Sequence, residues 1–94
     1  MKEYYECHIT MIATETNKLK EAVEELRWKF SKIDGDPNLG EGVKCYATKQ
    51  FNIRRTKDGV IKAVDMVAAQ LHNNLYVSKV LRSKVELVIY DNRS

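Results

Sequence analysis

An α+β fold, with the chain order β-α-β-β-α-β and two helices on one face of an antiparallel sheet, is what this sequence predicts. Three observations lead there. "YYECHITM" (4–11), "VKCYATKQFNI" (43–53) and "KVELVIY" (84–90) alternate apolar and polar residues as half-buried strands do. Two stretches between them change to a helical period. A Gly- and Pro-containing cluster, "DGDPNLGEG", sits between the second and third predicted strands and suits a hairpin connection.

Taken in order, the first strand puts Tyr5, Cys7, Ile9 and Met11 on one face and Tyr4, Glu6, His8 and Thr10 on the other. Leu19, Ala22, Val23 and Leu26 then recur at helical spacing, with Thr16 as the expected N-cap and an end near Arg27. "WKFSKI" reads as a short strand, since Trp28 and Phe30 alternate. On the next strand Val43, Cys45 and Ala47 face inward, while Lys44, Tyr46, Thr48 and Gln50 face outward. Thr56 or Asp58 caps a second helix with the stripe Val60, Val64, Val67, Ala68 and Leu71. "HNN" closes that helix, Asn being suited to a left-handed C-cap. The last strand, "KVELVIY", points Val85, Leu87 and Ile89 inward and Lys84, Glu86, Val88 and Tyr90 outward. This order is the split βαβ arrangement of ferredoxin-like folds. Right-handed crossovers place the first strand between the last strand and the second strand of the hairpin.

Residues 1–94 form one domain, at 44% apolar and 31% charged residues. No apolar run reaches the ~18 residues a membrane helix needs, and "MKEYYE" is unlike a signal peptide. No membrane partner is therefore expected, and the expected location is the cytoplasm. Cys7 and Cys45 lack any zinc-type spacing and read as free, buried thiols on strand faces. The net charge of +3 conceals an asymmetry. Residues 1–43 carry six basic and nine acidic side chains, residues 44–94 ten and four. The run Lys44, Lys49, Arg54, Arg55, Lys57 contains no acid, so it can hold phosphates or form a solvated surface.

The uncovered sheet face collects Tyr4, Glu6, His8, Thr10, Tyr46, Thr48, Gln50, Lys84, Glu86 and Tyr90. Its candidate ligand-binding residues are His8, Thr10, Tyr4, Glu6, Lys44, Tyr46, Thr48, Lys84 and Tyr90, with Arg54 and Arg55 from the basic run. "DGDPNLGE" spaces Asp34, Asp36 and Asn38 like a calcium loop. Leu39 stands where that loop needs Gly and Cys45 where it needs Glu, so no metal is expected. An open sheet bearing tyrosines also suits base stacking, but "VKCYATKQF" lacks the paired aromatics of RNA-recognition modules. His72, at a helix end, complements the helix dipole, and Trp28 reads as core or contact surface.

His8-Ile9-Thr10 resembles one half of the active site of 2H phosphoesterases, which flank a phosphodiester with two His-x-Thr/Ser elements. That resemblance implies acid–base roles for His8 and a phosphate contact for Thr10. The other histidine, His72, has no Thr or Ser two positions on, so one chain carries only half of the pattern. "YECHIT", "FSKIDGDPNLGEGVKCYAT" and "KVELVIYDNR", about a third of the residues, resemble a group of small bacteriophage proteins of no settled activity. That resemblance implies a phage origin and a role in the host cytoplasm, on a host protein, a nucleic acid or a defence signal.

The reading that follows is a binding protein without catalytic residues or cofactors. Its open sheet holds a phosphorylated nucleotide or similar small anion, as a host-defence or host-takeover factor. The alternative is a protein–protein interaction module, either a homodimer or an inhibitor of a host protein. A phosphodiesterase assembled across a dimer, with His8 and Thr10 catalytic, comes third.

Overall fold

The structure, a computed structural model, describes residues 2–32 and 42–90. Its elements are β1 (Lys2–Ala13), α1 (Thr16–Glu25), β2 (Lys29–Lys32), β3 (Val43–Asn52), α2 (Lys57–His72) and β4 (Val77–Tyr90). The strands form one sheet in the order β2-β3-β1-β4, with every neighbouring pair antiparallel. This is the ferredoxin-like α+β fold. The calcium-like loop residues Asp34, Asp36 and Asn38, and the hairpin connection itself, lie outside the described residues.

One face of the sheet carries both helices. α1 lies over β2 and β3 through Leu19 and Val23, and α2 over β4 and β1 through Val60, Val64 and Leu71. Between the layers, Cys7, Ile9, Met11, Ala13, Cys45, Ala47, Trp28 and Phe51 complete a continuous apolar core. No helix among the described residues is long and apolar enough to cross a membrane.

Several local features differ from the sequence-based expectation. Thr16 is already helical; Glu15 is the N-cap, with extended backbone and no side-chain cap bond. The reason is that the Thr14 amide donates to Tyr76 O at 2.9 Å, which holds the chain in line with β1 until the helix begins. Thr56, not Asp58, caps α2, accepting from the Gly59 amide at 3.0 Å. Asn73 ends that helix at φ −91°, outside the left-handed region, while the next residue forms the turn: Asn74 Oδ1 accepts from the Tyr76 amide at 2.8 Å.

β4 starts at Val77, seven residues before the expected Lys84. Two register shifts against β1, between Thr10 and Met11 and between Ile12 and Ala13, explain why. Each inserts an extra residue and flips the side-chain phase, so "VSKVLRS" does not alternate although it is strand. Leu87 and Ile89 also depart from expectation. They lie on the helix-bearing face but are 53% and 57% exposed, beyond the cover of α2.

The end of α1 is a Schellman turn. The Trp28 amide donates to Val23 O and the Arg27 amide to Glu24 O, while Trp28 and Val23 meet in the core. Arg27 occupies the left-handed position at φ 64°. A side chain there is strained, so Arg27→Gly is expected to stabilise the fold by about 0.5–1 kcal/mol. Thermal denaturation checks this, and a lower midpoint would contradict it.

Cys7 and Cys45 are fully buried free thiols, on neighbouring strands as the sequence indicated. Burial, assisted by the nearby Glu6 charge, pushes the Cys7 thiol up to about 11 from an ordinary value of 9.0. Thiol reagents are therefore expected to label either cysteine only on unfolding. Between pH 9 and 11 the unfolded chain has released the Cys7 proton while the folded chain retains it, so stability falls as pH rises. Denaturant midpoints across that window test this, and Cys7→Ala is expected to flatten the decline.

Candidate functional site

The face opposite the helices is built in rows, because directly paired residues on neighbouring strands share a face. One row crosses all four strands as Lys84, His8, Thr48 and Lys29. The next is Arg82, Thr10, Tyr46 and Ser31. Every side chain in these two rows can donate a hydrogen bond and none is a carboxylate. A third row, Lys79, Ile12 and Lys44, adds two cations on either side of an apolar centre. The acids lie in the row on the opposite flank, Glu86, Glu6 and Gln50.

His8 stands on a central strand and is held from two sides. Its Nε2 lies 3.4 Å from Glu6 Oε1 and its Nδ1 lies 3.3 Å from Thr48 Oγ1. Both contacts are satisfied when Nε2–H donates to the carboxylate and Nδ1 accepts the threonine proton. The ring is one-third exposed, so it is fixed in orientation yet open to a ligand. Lys84 Nζ sits 2.7 Å from Glu86 Oε1. That hydrogen bond, and then the Lys84 charge, lower the Glu86 carboxyl below its ordinary value; His8 and Arg82 act in the same sense, against burial.

Tyr4, Glu6, His8, Thr10, Lys44, Tyr46, Thr48 and Lys84 all come together on this face. The Tyr90 backbone pairs with Lys2 at its far end, and the Tyr90 side chain lies outside the described residues. Arg54 and Arg55 do not join the group. They lie in the turn after β3, where the Arg55 guanidinium sits 5.2 Å from the Phe51 ring centre and Lys49 Nζ 5.4 Å from it. Phe51 belongs to the helix-side core, so the basic run is divided between two sides of the sheet.

Sequence reasoning missed Arg82, Lys79, Lys29 and Ser31. Arg82 was within reach: it shares the parity of Lys84 and Glu86, and extending the last strand by two residues includes it. Lys29 and Ser31 follow from the Trp28–Phe30 alternation read on its outer side. Lys79 was not, because the register shifts change its phase. A shallow depression of about 430 Å³ borders the rows, lined by Glu6, Arg27, Lys29, Thr48, Lys49 and Gln50. It forms because β2 begins at Lys29, opposite Thr48, and leaves the outer side of Lys49 and Gln50 without a partner strand. Among the described residues no three His, Cys, Asp or Glu side chains gather in a way that could hold a metal. Comparison with protein-family models, with curated proteins and with solved structures finds no match.

Proposed function

We propose that the open sheet face binds a phosphorylated nucleotide or a similar small anion, without catalysing its conversion. The observation that carries this reading is the pair of adjacent donor rows, Lys84-His8-Thr48-Lys29 and Arg82-Thr10-Tyr46-Ser31, with no carboxylate in either. A phosphate over the β1–β4 half meets the Thr10 hydroxyl, the Lys84 and Arg82 charges and the His8 Nε2–H, which it shares with Glu6 across a long 3.4 Å contact. Tyr46, one strand away, offers a ring for the base, and Lys44 and Lys79 supply further charge at the Ile12 end. Glu6, 3.4 Å from Nε2, orients the imidazole. The resemblance to small bacteriophage proteins supports sequestration of a nucleotide signal inside an infected cell.

A single imidazole on the open face, with the other histidine, His72, at the end of α2, supports binding over phosphodiester cleavage, which in the 2H pattern takes a separate base and acid. Native mass spectrometry of freshly purified protein tests the reading, since a retained nucleotide adds its own mass. His8→Ala is expected to cost about 1.5–3 kcal/mol of nucleotide affinity, the worth of a hydrogen bond to a charged group, with an unchanged melting temperature. Affinity is expected to fall as salt rises. Arg82→Glu is expected to weaken binding more than Arg54→Glu, which lies off the face. Binding indifferent to salt, to His8→Ala and to Arg82→Glu would overturn the proposal.

A further inference from the structure

β4 is the outermost strand, and along its outer side no described residue pairs with it. Long edge strands are prone to recruit another chain, and natural sheets ordinarily shorten, cover or break them. β4 is fourteen residues long, and its register shifts fall only in the first part. From Arg82 to Tyr90 it pairs regularly with β1, so its outer side presents a straight row of free amides and carbonyls. Exposed Leu87 and Ile89 accompany that row, with Leu81 at the bulge.

We infer that this edge is the contact between two copies of the chain, paired antiparallel about a two-fold axis at Val85. A two-fold perpendicular to the sheet keeps both helix layers on one side and places residues of equal parity opposite each other. Centred on Val85, it sets Lys84 opposite the second copy's Glu86, and Glu86 opposite the second copy's Lys84. Lys84 and Glu86 are already neighbours along their own strand at 2.7 Å. The four charges then alternate in sign both along and across the strands. On the helix-bearing side Val85 meets Val85, Leu87 meets Ser83, and Ile89 comes beside Leu81.

Other registers oppose like charges or form no ion pair. An axis at Lys84 sets Arg82 against Glu86 twice but opposes Lys84 to itself at the centre, one at Glu86 opposes Glu86 to itself, and one at Ser83 sets Arg82 against Lys84 twice. Centring on Leu87 leaves Glu86 facing Val88 and forms no ion pair. Like charges directly opposite destabilise a strand pair and opposite charges support it. The product is one eight-stranded sheet with two separate donor surfaces. Three strand spacings and a two-residue offset keep the His8 rings roughly 16 Å apart, so this dimer does not assemble a shared two-histidine site.

Cross-linking and mass tell the outcome. The native protein is expected to sediment at twice the 10.9 kDa of one chain, falling to monomer on dilution. Lys84→Glu places carboxylates opposite one another and is expected to weaken dimerisation at least ten-fold. Lys84→Glu combined with Glu86→Lys restores the alternating pattern and is expected to restore the dimer. Circular dichroism confirms that each variant is folded. Val85→Cys brings two thiols directly opposite, within the reach of a disulfide, and mild oxidation is expected to join the chains. Cys7 and Cys45 are buried and do not compete. A monomer at every concentration, failure of the charge swap to rescue, or linkage through Tyr46→Cys in place of Val85→Cys would overturn the inference.

Discussion

Trp28→Ala is expected to destabilise the protein by about 3–5 kcal/mol, the range for removing a large buried aromatic side chain. Trp28 is 4% exposed and meets Phe51 edge-to-face, with ring centres 6.3 Å apart and planes inclined at 71°. The alanine keeps the backbone amide that closes the Schellman turn, but removal of the buried ring leaves a void where α1 hands the chain to β2. A domain of this size has only some 5–15 kcal/mol of total stability, and the variant is expected to have a large unfolded population at moderate temperature. Urea titration measures the effect. A lowered midpoint with an unchanged slope marks lost packing in an otherwise two-state protein. A loss below 1 kcal/mol would mean that the aromatic pair contributes little.

Gly42→Ala is expected to cost about 3 kcal/mol or more, a loss seldom produced by one methyl group. Gly42 precedes β3 at φ +145°, a conformation that L side chains rarely adopt. A Cβ there falls 2.2 Å from the Ala13 carbonyl oxygen and 3.1 Å from Ile12 Cγ2. Ala13 is fixed by its pairing with Val43 and Val77, so its carbonyl cannot withdraw without disturbing the sheet. Thermal denaturation against wild type is the check, with a fall of about 10 °C or more expected, since 1 kcal/mol moves the midpoint of such a domain by 4–8 °C. Equal midpoints would show that the chain before β3 can shift to make room.

Most of the fold was legible because its two periodicities are clean. Cys7, Ile9 and Met11 against Glu6, His8 and Thr10 leave no doubt about the faces of β1, and Val60, Val64 and Leu71 do the same for α2. Element order and crossover handedness then sufficed to put His8 on a central strand. The rest was hidden for identifiable reasons. Leu87 and Ile89 are apolar and correctly phased, yet burial depends on whether a helix reaches over them, which alternation cannot report. Arg54 and Arg55 are near Lys44 in sequence, but β3 ends at Asn52 and a turn carries them off the open face. Arg82 lay beyond a strand start drawn too late, so the candidate site was read without that charge.

The two register shifts between β1 and β4 also bear on how this chain tolerates changes in length. Arg82 pairs with Thr10 and Val80 with Met11, so Leu81 is a surplus residue between two correctly phased neighbours. Deleting Leu81 leaves Arg82 on the open face and Val80 toward the helices, because the pairs on either side become consecutive. Deleting Val85, in the regular stretch, moves every residue on one side of the gap to the wrong face. A strand of this kind has a reading frame, and its bulges are the places where that frame absorbs a lost residue. Families of length variants can arise by trimming at Leu81 while both sheet surfaces keep their chemistry.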